Sequence, residues 1–195
     1  MELDFSAEDF HPVIHLPPEV DVLELGWPEA DRPPRQSAYS IGRYNERRVI
    51  YRQPLFSGSR DIHMGLDIGG PVGTPVHAFA DGAIAFFGYN GAEGDYGHTL
   101  ITVHRIAGVD LWALHGHLDA RSTRDHTSGA PIRKGEVIAW IGDHHENGGW
   151  PPHLHFQLSR REPTTFDLPG VVSEAERSQA LVDYPDPRLV LGPLY

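Results

Sequence analysis

Thirteen histidines and no cysteine decide how this chain of 195 residues could hold a metal. Without thiols neither a disulfide framework nor a thiolate zinc site can form, so any ion must be bound by His, Asp or Glu. His153-Leu154-His155 has suitable spacing, because residues two apart in a strand share a face while Leu154 and Phe156 point to the other. Pro151 and Pro152 suit the entry to such a strand. His63-Met64-Gly65-Leu66-Asp67 asks more of the backbone. Four extended residues span about 13 Å, too far for two side chains to meet one ion, so the chain must bend, and Gly65 permits that. The following Gly69-Gly70-Pro71 argues against a helical i, i+4 pair. Taken alone, a His and an Asp four apart are common. In Leu114-His115-Gly116-His117-Leu118 an apolar run ends where a strand delivers side chains to a rim. Alternation gives His115 and His117 one face, and spacing does not say which of them only packs.

Two histidines and one carboxylate leave a fourth position on zinc open to water, whose pKa falls to about 7. Attack on a carbonyl then creates an oxyanion that the metal and an imidazole can stabilise, while another imidazole carries a proton to the leaving amine. Amide hydrolysis is the chemistry this set of groups suits. His77, His98 and His104 lie in or beside β-rich runs and read as structural. Asp143-His144-His145-Glu146 has the composition of a second metal cluster, but adjacent side chains diverge on most backbones, so it reads as loop. No G-x-S-x-G elbow or phosphate-cradling loop is present, and Gly69 to Gly73 reads as a turn.

The elements that must position these groups are short. β-rich runs at Pro75 to Ala80, Ala83 to Phe87, Thr99 to His104, Leu111 to Leu114, Val137 to Ile141 and His153 to Leu158 are punctuated by Asp81-Gly82, Asn90-Gly91, Ala107-Gly108 and Lys134-Gly135, which read as hairpin turns. The expected fold is mainly β: a single-domain antiparallel sheet or sandwich with a groove. Residues 1–57, Pro-rich at first, form an N-terminal extension packed on a core at 58–162, with Val20 to Leu25 as an edge strand. Residues 163–195 form a tail with a short helix behind a Ser173/Glu176 capping box. The basic run Arg43 to Arg52 reads as a solvated strand face. Two polar connections, Asp119 to Pro131 and Gly142 to Pro152, are the expected groove walls.

A formal charge of −11, from 27 acidic and 16 basic residues without a basic stripe, makes nucleic acid and anionic membrane surfaces unfavourable partners. No apolar run approaches the roughly 20 residues that span a bilayer. The acidic start lacks the basic and apolar regions of a secretory signal, so the expected location is cytoplasmic as the sequence is written, although a removed leader would leave no trace.

The segments His63 to Asp67, Gly116-His117-Leu118 and Pro152 to Phe156 resemble, in that order, those of lysostaphin-like (LytM-type) zinc endopeptidases. Gly73-Thr-Pro-Val76, Asp81-Gly82, Tyr96-Gly97 and Gly135 to Gly142 are similar to the connecting strands of that family, and the likeness covers roughly Arg60 to Arg160. The resemblance implies one Zn2+ per chain held by His63, Asp67 and His155, a catalytic pair His117 and His153, and an antiparallel β fold with a groove. It also implies a peptide or peptidoglycan-like substrate, often cleaved beside glycine. Where many relatives carry tyrosine two residues before the catalytic histidine this chain has His115, which joins Trp150 and Asn147 as an expected groove residue. Tyr39 to Arg48, Glu146 to Pro152 and Tyr184 to Gly192 resemble a subgroup found between the phosphotransferase and aminotransferase regions of large bacterial fusion proteins. That cytoplasmic setting suggests the alternative of a metal-stabilised peptide- or glycan-binding domain that does not cleave.

Overall fold

The computed structural model describes residues 3–56 and 59–195, so the expected boundary at residues 57 and 58 lies outside the described residues. In chain order the strands are β1 (Asp21–Val22), β2 (Ser40–Gly42), β3 (Ile62–His63), β4 (Leu66–Gly69), β5 (Pro75–His77), β6 (Gly82–Asn90), β7 (Gly97–Ile106), β8 (Val109–Leu118), β9 (Pro131–Ile132), β10 (Val137–Trp140), β11 (His153–Ser159) and β12 (Val171–Val172). Helices α1 (Glu174–Asp183) and α2 (Arg188–Leu191) follow. Eight strands make one sheet in the order β1-β2-β4-β11-β8-β7-β6-β9, while β5 pairs with β10 and β3 with β12.

Local sequence accounts for the longest hairpin. Ala107 and Gly108 both take positive φ, 46° and 80°, as a two-residue turn matched to strand twist requires, and β7 and β8 run antiparallel from it. The other turn signals behave differently. Asn90-Gly91 opens a six-residue connection between β6 and β7, whereas Asp81-Gly82 and Lys134-Gly135 lead the chain between layers, because β5 pairs with β10 rather than β6.

One face of the large sheet is apolar. Leu154, Phe156 and Leu158 of β11 and Leu111 and Ala113 of β8 pack with Val76 and Ile138 of the β5/β10 pair. Phe5, Val13 and Ile14 from the extension and Val190 from the tail enter the same cluster. The three expected segments thus share one core. Val20 to Leu25 contributes the edge strand β1, which pairs in parallel with β2. Ser173 precedes α1, and its backbone N–H donates to the Glu176 carboxylate at 2.9 Å, as a capping box requires.

The basic run Arg43 to Arg52 is not a solvated strand face. Only Arg47 makes a β-bridge, and Arg48 is 3% exposed, held by Glu46 and Asp67. A guanidinium with carboxylates on two sides can be buried, and Asp67 lies beyond the reach of a local reading.

Candidate metal centre and cleft

Strand alternation puts His153, His155 and Gln157 of β11 on the face opposite the apolar core, and the register sets His155 between Asp67 of β4 and Gly116 of β8. His63 arrives by the bend expected at Gly65. β3 ends at His63 and joins β12, and β4 starts afresh at Leu66 in the large sheet. Nothing larger than glycine fits there, because a Cβ on Gly65 would run into the His155 imidazole.

Three ligand atoms converge at this point. His63 Nε2 lies 2.9 Å from His155 Nδ1 and 3.2 Å from Asp67 Oδ1, and His155 Nδ1 lies 3.1 Å from that oxygen. Ligands 2.0–2.1 Å from a tetrahedral zinc are roughly 3.3 Å apart, so the group is close to the right size. The hydrogen bonds behind it fix the tautomers. His63 Nδ1–H donates to the Arg43 carbonyl at 3.0 Å, and His155 Nε2–H donates to Gln157 Oε1 at 3.0 Å. Gln157 is itself oriented by its amide N–H on the Pro169 carbonyl. Two bare ring nitrogens and a carboxylate oxygen therefore face one another without a shared proton, an arrangement that repels itself unless a cation lies among them. The residues present fit a divalent metal such as zinc.

Charge around the site keeps these donors ready. Asp67 is buried, which alone would raise its pKa, but the permanent positive charge of Arg48 beside it holds it well below the usual carboxylate range. Its second oxygen takes Arg48 Nη1–H at 2.6 Å, leaving Oδ1 for the metal position. Burial and the nearby Arg48 push His63 down to about 3, so it stays a neutral ligand.

His117 reaches this face through a bulge. Between His98↔Leu118 and Leu100↔His115, two residues of β8 oppose one of β7, and His117 takes φ +61°. Its Nδ1–H donates to the Asn147 carbonyl at 2.7 Å, and its ring lies 4.2 Å from that of His153, whose Nδ1–H donates to the Pro151 carbonyl at 2.7 Å. Burial lowers the pKa of both, that of His117 strongly.

Two expected groove residues lie elsewhere. His115 does not share the face of His117, because the bulge breaks the alternation between them. It is fully buried against Phe156 on the core side, with Nδ1–H on the Leu100 carbonyl. Asn147 lies beneath the site: its side chain bridges the Trp150 N–H and the Trp150 carbonyl, and its own carbonyl orients His117. Trp150 does line the cleft, beside Tyr51 and Phe56. The cleft, about 870 Å³, takes its other walls from residues 21–36 and 48–56 of the extension, from Arg60 and residues 94–96 of the core and from 165–171 of the tail, and the 119–131 connection takes no part. Arg48 and Gln157 escaped the reading of the sequence. Gln157 had a signal, being two residues beyond His155 on one strand face.

Residues 61–167, more than half of the chain, match Peptidase family M23. The chain belongs to peptidase family M23. Among its relatives, the DD-carboxypeptidase/endopeptidase Mpg of Neisseria meningitidis is 38% identical over 96 residues, 49% of this chain and 20% of that protein. An uncharacterized metalloprotease of Haemophilus influenzae is 32% identical over 87% of this chain and 34% of its own length. The peptidoglycan DD-endopeptidase ShyC of Vibrio cholerae is 29% identical over 67% and 28%. This M23 chain therefore spans about a fifth to a third of the curated relatives it matches. Among solved structures, the catalytic domain of lysostaphin from Staphylococcus simulans aligns with a TM-score of 0.49 at 22% identity, over 75% of this chain and 98% of that one.

Proposed function

We propose that the cleft is the active site of a zinc-dependent peptidase in which His63, Asp67 and His155 hold the ion and His117 and His153 handle protons. The observation that carries this reading is the convergence of three proton-free donors beside two further imidazoles. When bound, zinc supplies Lewis acidity and an activated water. The chain's own residues do the rest. With Nδ1–H held by the Asn147 and Pro151 carbonyls, His117 and His153 both present Nε2 to the site. Burial keeps them neutral, so either can accept a proton from the attacking water at Nε2 and return it to the leaving amine. Once protonated, that Nε2–H can also donate to the developing oxyanion. The aromatic wall of Tyr51, Phe56 and Trp150 offers the rest of a peptide an apolar surface.

One relative named as a peptidoglycan DD-endopeptidase and another named as a DD-carboxypeptidase/endopeptidase support cross-linked cell-wall peptides as the first substrate class to try. The two imidazoles left over from metal binding favour cleavage over mere binding, since a binding domain has no use for them. Hydrolysis of purified peptidoglycan and a panel of glycine-containing peptides, measured beside zinc content, tests the reading. His155→Ala should lose one equivalent of zinc and all turnover, while His117→Ala should keep its zinc and lose turnover by at least 100-fold. Full activity in His117→Ala would overturn the assignment of roles.

A further inference from the structure

On the opposite side of the large sheet, in the layer that covers its apolar face, three more histidines come together. His11 and His15 belong to the N-terminal extension and His77 to β5, and their ligand nitrogens all lie within 4.8 Å of one another. Ring centroids are 5.2 Å apart for His11 and His15, 5.2 Å for His11 and His77, and 4.9 Å for His15 and His77. None of the three lines the cleft.

The packing around them holds the rings in this arrangement. Val13 and Ile14, between the first two histidines, are buried in the main core at 1% and 4% exposure. Backbone hydrogen bonds tie both sides together, from His11 N–H to the Phe79 carbonyl at 2.9 Å and from His77 N–H to the Val13 carbonyl at 2.8 Å. His11 Nδ1–H donates to the Pro12 carbonyl at 2.9 Å, and His77 Nδ1–H donates to the Gly135 carbonyl at 3.1 Å. Both rings therefore keep a bare Nε2, the tautomer that a backbone carbonyl behind a metal-bound histidine enforces, and one nitrogen of each of the three rings lies within 4.8 Å of the others. Gly135 sits close against His11: a Cβ there would lie 3.1 Å from the His11 ring. His15 is exposed and can offer either nitrogen by rotation.

We propose that His11, His15 and His77 form a second metal site, distinct from the cleft, for a borderline divalent ion such as zinc. Three imidazoles and no carboxylate suit zinc, copper or nickel and select against calcium and magnesium. The site clasps the extension to β5. The same extension continues into the strand and loop that wall the cleft, so an ion here secures the segment from which that wall begins. Stabilisation follows mass action, because the unfolded chain holds His77 more than sixty positions from His15 and offers no preformed site.

Zinc titration of the metal-stripped full chain, with thermal unfolding and hydrolysis measured on the same samples, tests this. His15→Ala is the informative variant, since the exposed ring can be removed without disturbing the core. Wild type should take up one equivalent more than His15→Ala, and zinc should raise the melting temperature of the wild type by more than that of the variant. Hydrolysis should be unchanged. Equal zinc uptake by wild type and His15→Ala would overturn the proposal, and so would loss of the extra equivalent in His144→Ala instead, which would assign it to the exposed Asp143-His144-His145 group. The catalytic reading is tested separately by His155→Ala, so the failure of one leaves the other standing.

Discussion

Arg48 is the residue on which the candidate metal centre leans without itself belonging to the donor group of His63, Asp67 and His155. It donates to Asp67 at 2.6 Å, Glu46 at 2.9 Å, the Tyr51 hydroxyl at 3.2 Å and the Arg43 carbonyl at 3.0 Å. The last contact matters twice, because that same carbonyl orients His63. Only a planar fork of five N–H donors reaches these partners at once, and lysine does not. Arg48→Met strands a buried carboxylate and should cost about 3–5 kcal/mol in urea unfolding. Arg48→Lys should fold, yet lose about 10–100-fold in zinc affinity or turnover. Wild-type affinity in Arg48→Lys would show that Asp67 needs no such support. The sequence disclosed Asp67 but hid Arg48, since burial of a charge inside a basic run depends on a partner 19 positions away. His115 was misplaced for a local reason of the same kind: alternation is legible, and the single positive φ at His117 that breaks it is not.

At the scale of elements, the site is an agreement between β11 and its two neighbours, which explains why so much of it could be read in advance. His153-Leu-His155 declares a strand by its pattern, and the β-rich runs that became β6, β7, β8 and β10 were visible for the same reason. Pairing between distant strands, and which connections reach the cleft, are set by tertiary contacts. The extension therefore supplied walls that had been expected from the 119–131 connection. The bend between β3 and β4 is the element-scale feature most open to test. Gly65→Ala places a methyl group in the His155 ring, where backbone on both sides is held by pairing to β12 and β11. The ring must move, so the variant should lose zinc at the cleft and fall at least tenfold in turnover, with stability reduced by about 1–3 kcal/mol. Unchanged zinc content and turnover would show that β11 can yield without cost.

Across the whole molecule the large sheet separates the histidines of the cleft from two that pack in its core, His104 and His115. On the core side His104 is 1% exposed, with ring nitrogens hydrogen-bonded to Thr102 and to the Asp81 carbonyl, and burial pushes its pKa down to about 4. His115, fully buried with Nε2 unpartnered, is pushed down to about 3 by the same cause. In the unfolded chain both would titrate near 6.5. Below that pH the unfolded state binds more protons than the folded one, so their contribution to stability is whole above about 6.5 and shrinks as pH falls toward 4. Each unit of depression is worth roughly 1.4 kcal/mol, so His104 alone forfeits on the order of 3 kcal/mol by pH 4. Urea unfolding of the metal-stripped protein between pH 8 and 4 should therefore show a steep acid loss. His115→Phe should flatten that loss by removing one of the two groups while keeping an apolar ring against Phe156. Because His115 faces the core and not the cleft, the variant should hydrolyse substrate like the wild type. An undiminished acid slope would mean that water reaches this layer of the core, and lost turnover would return His115 to the groove.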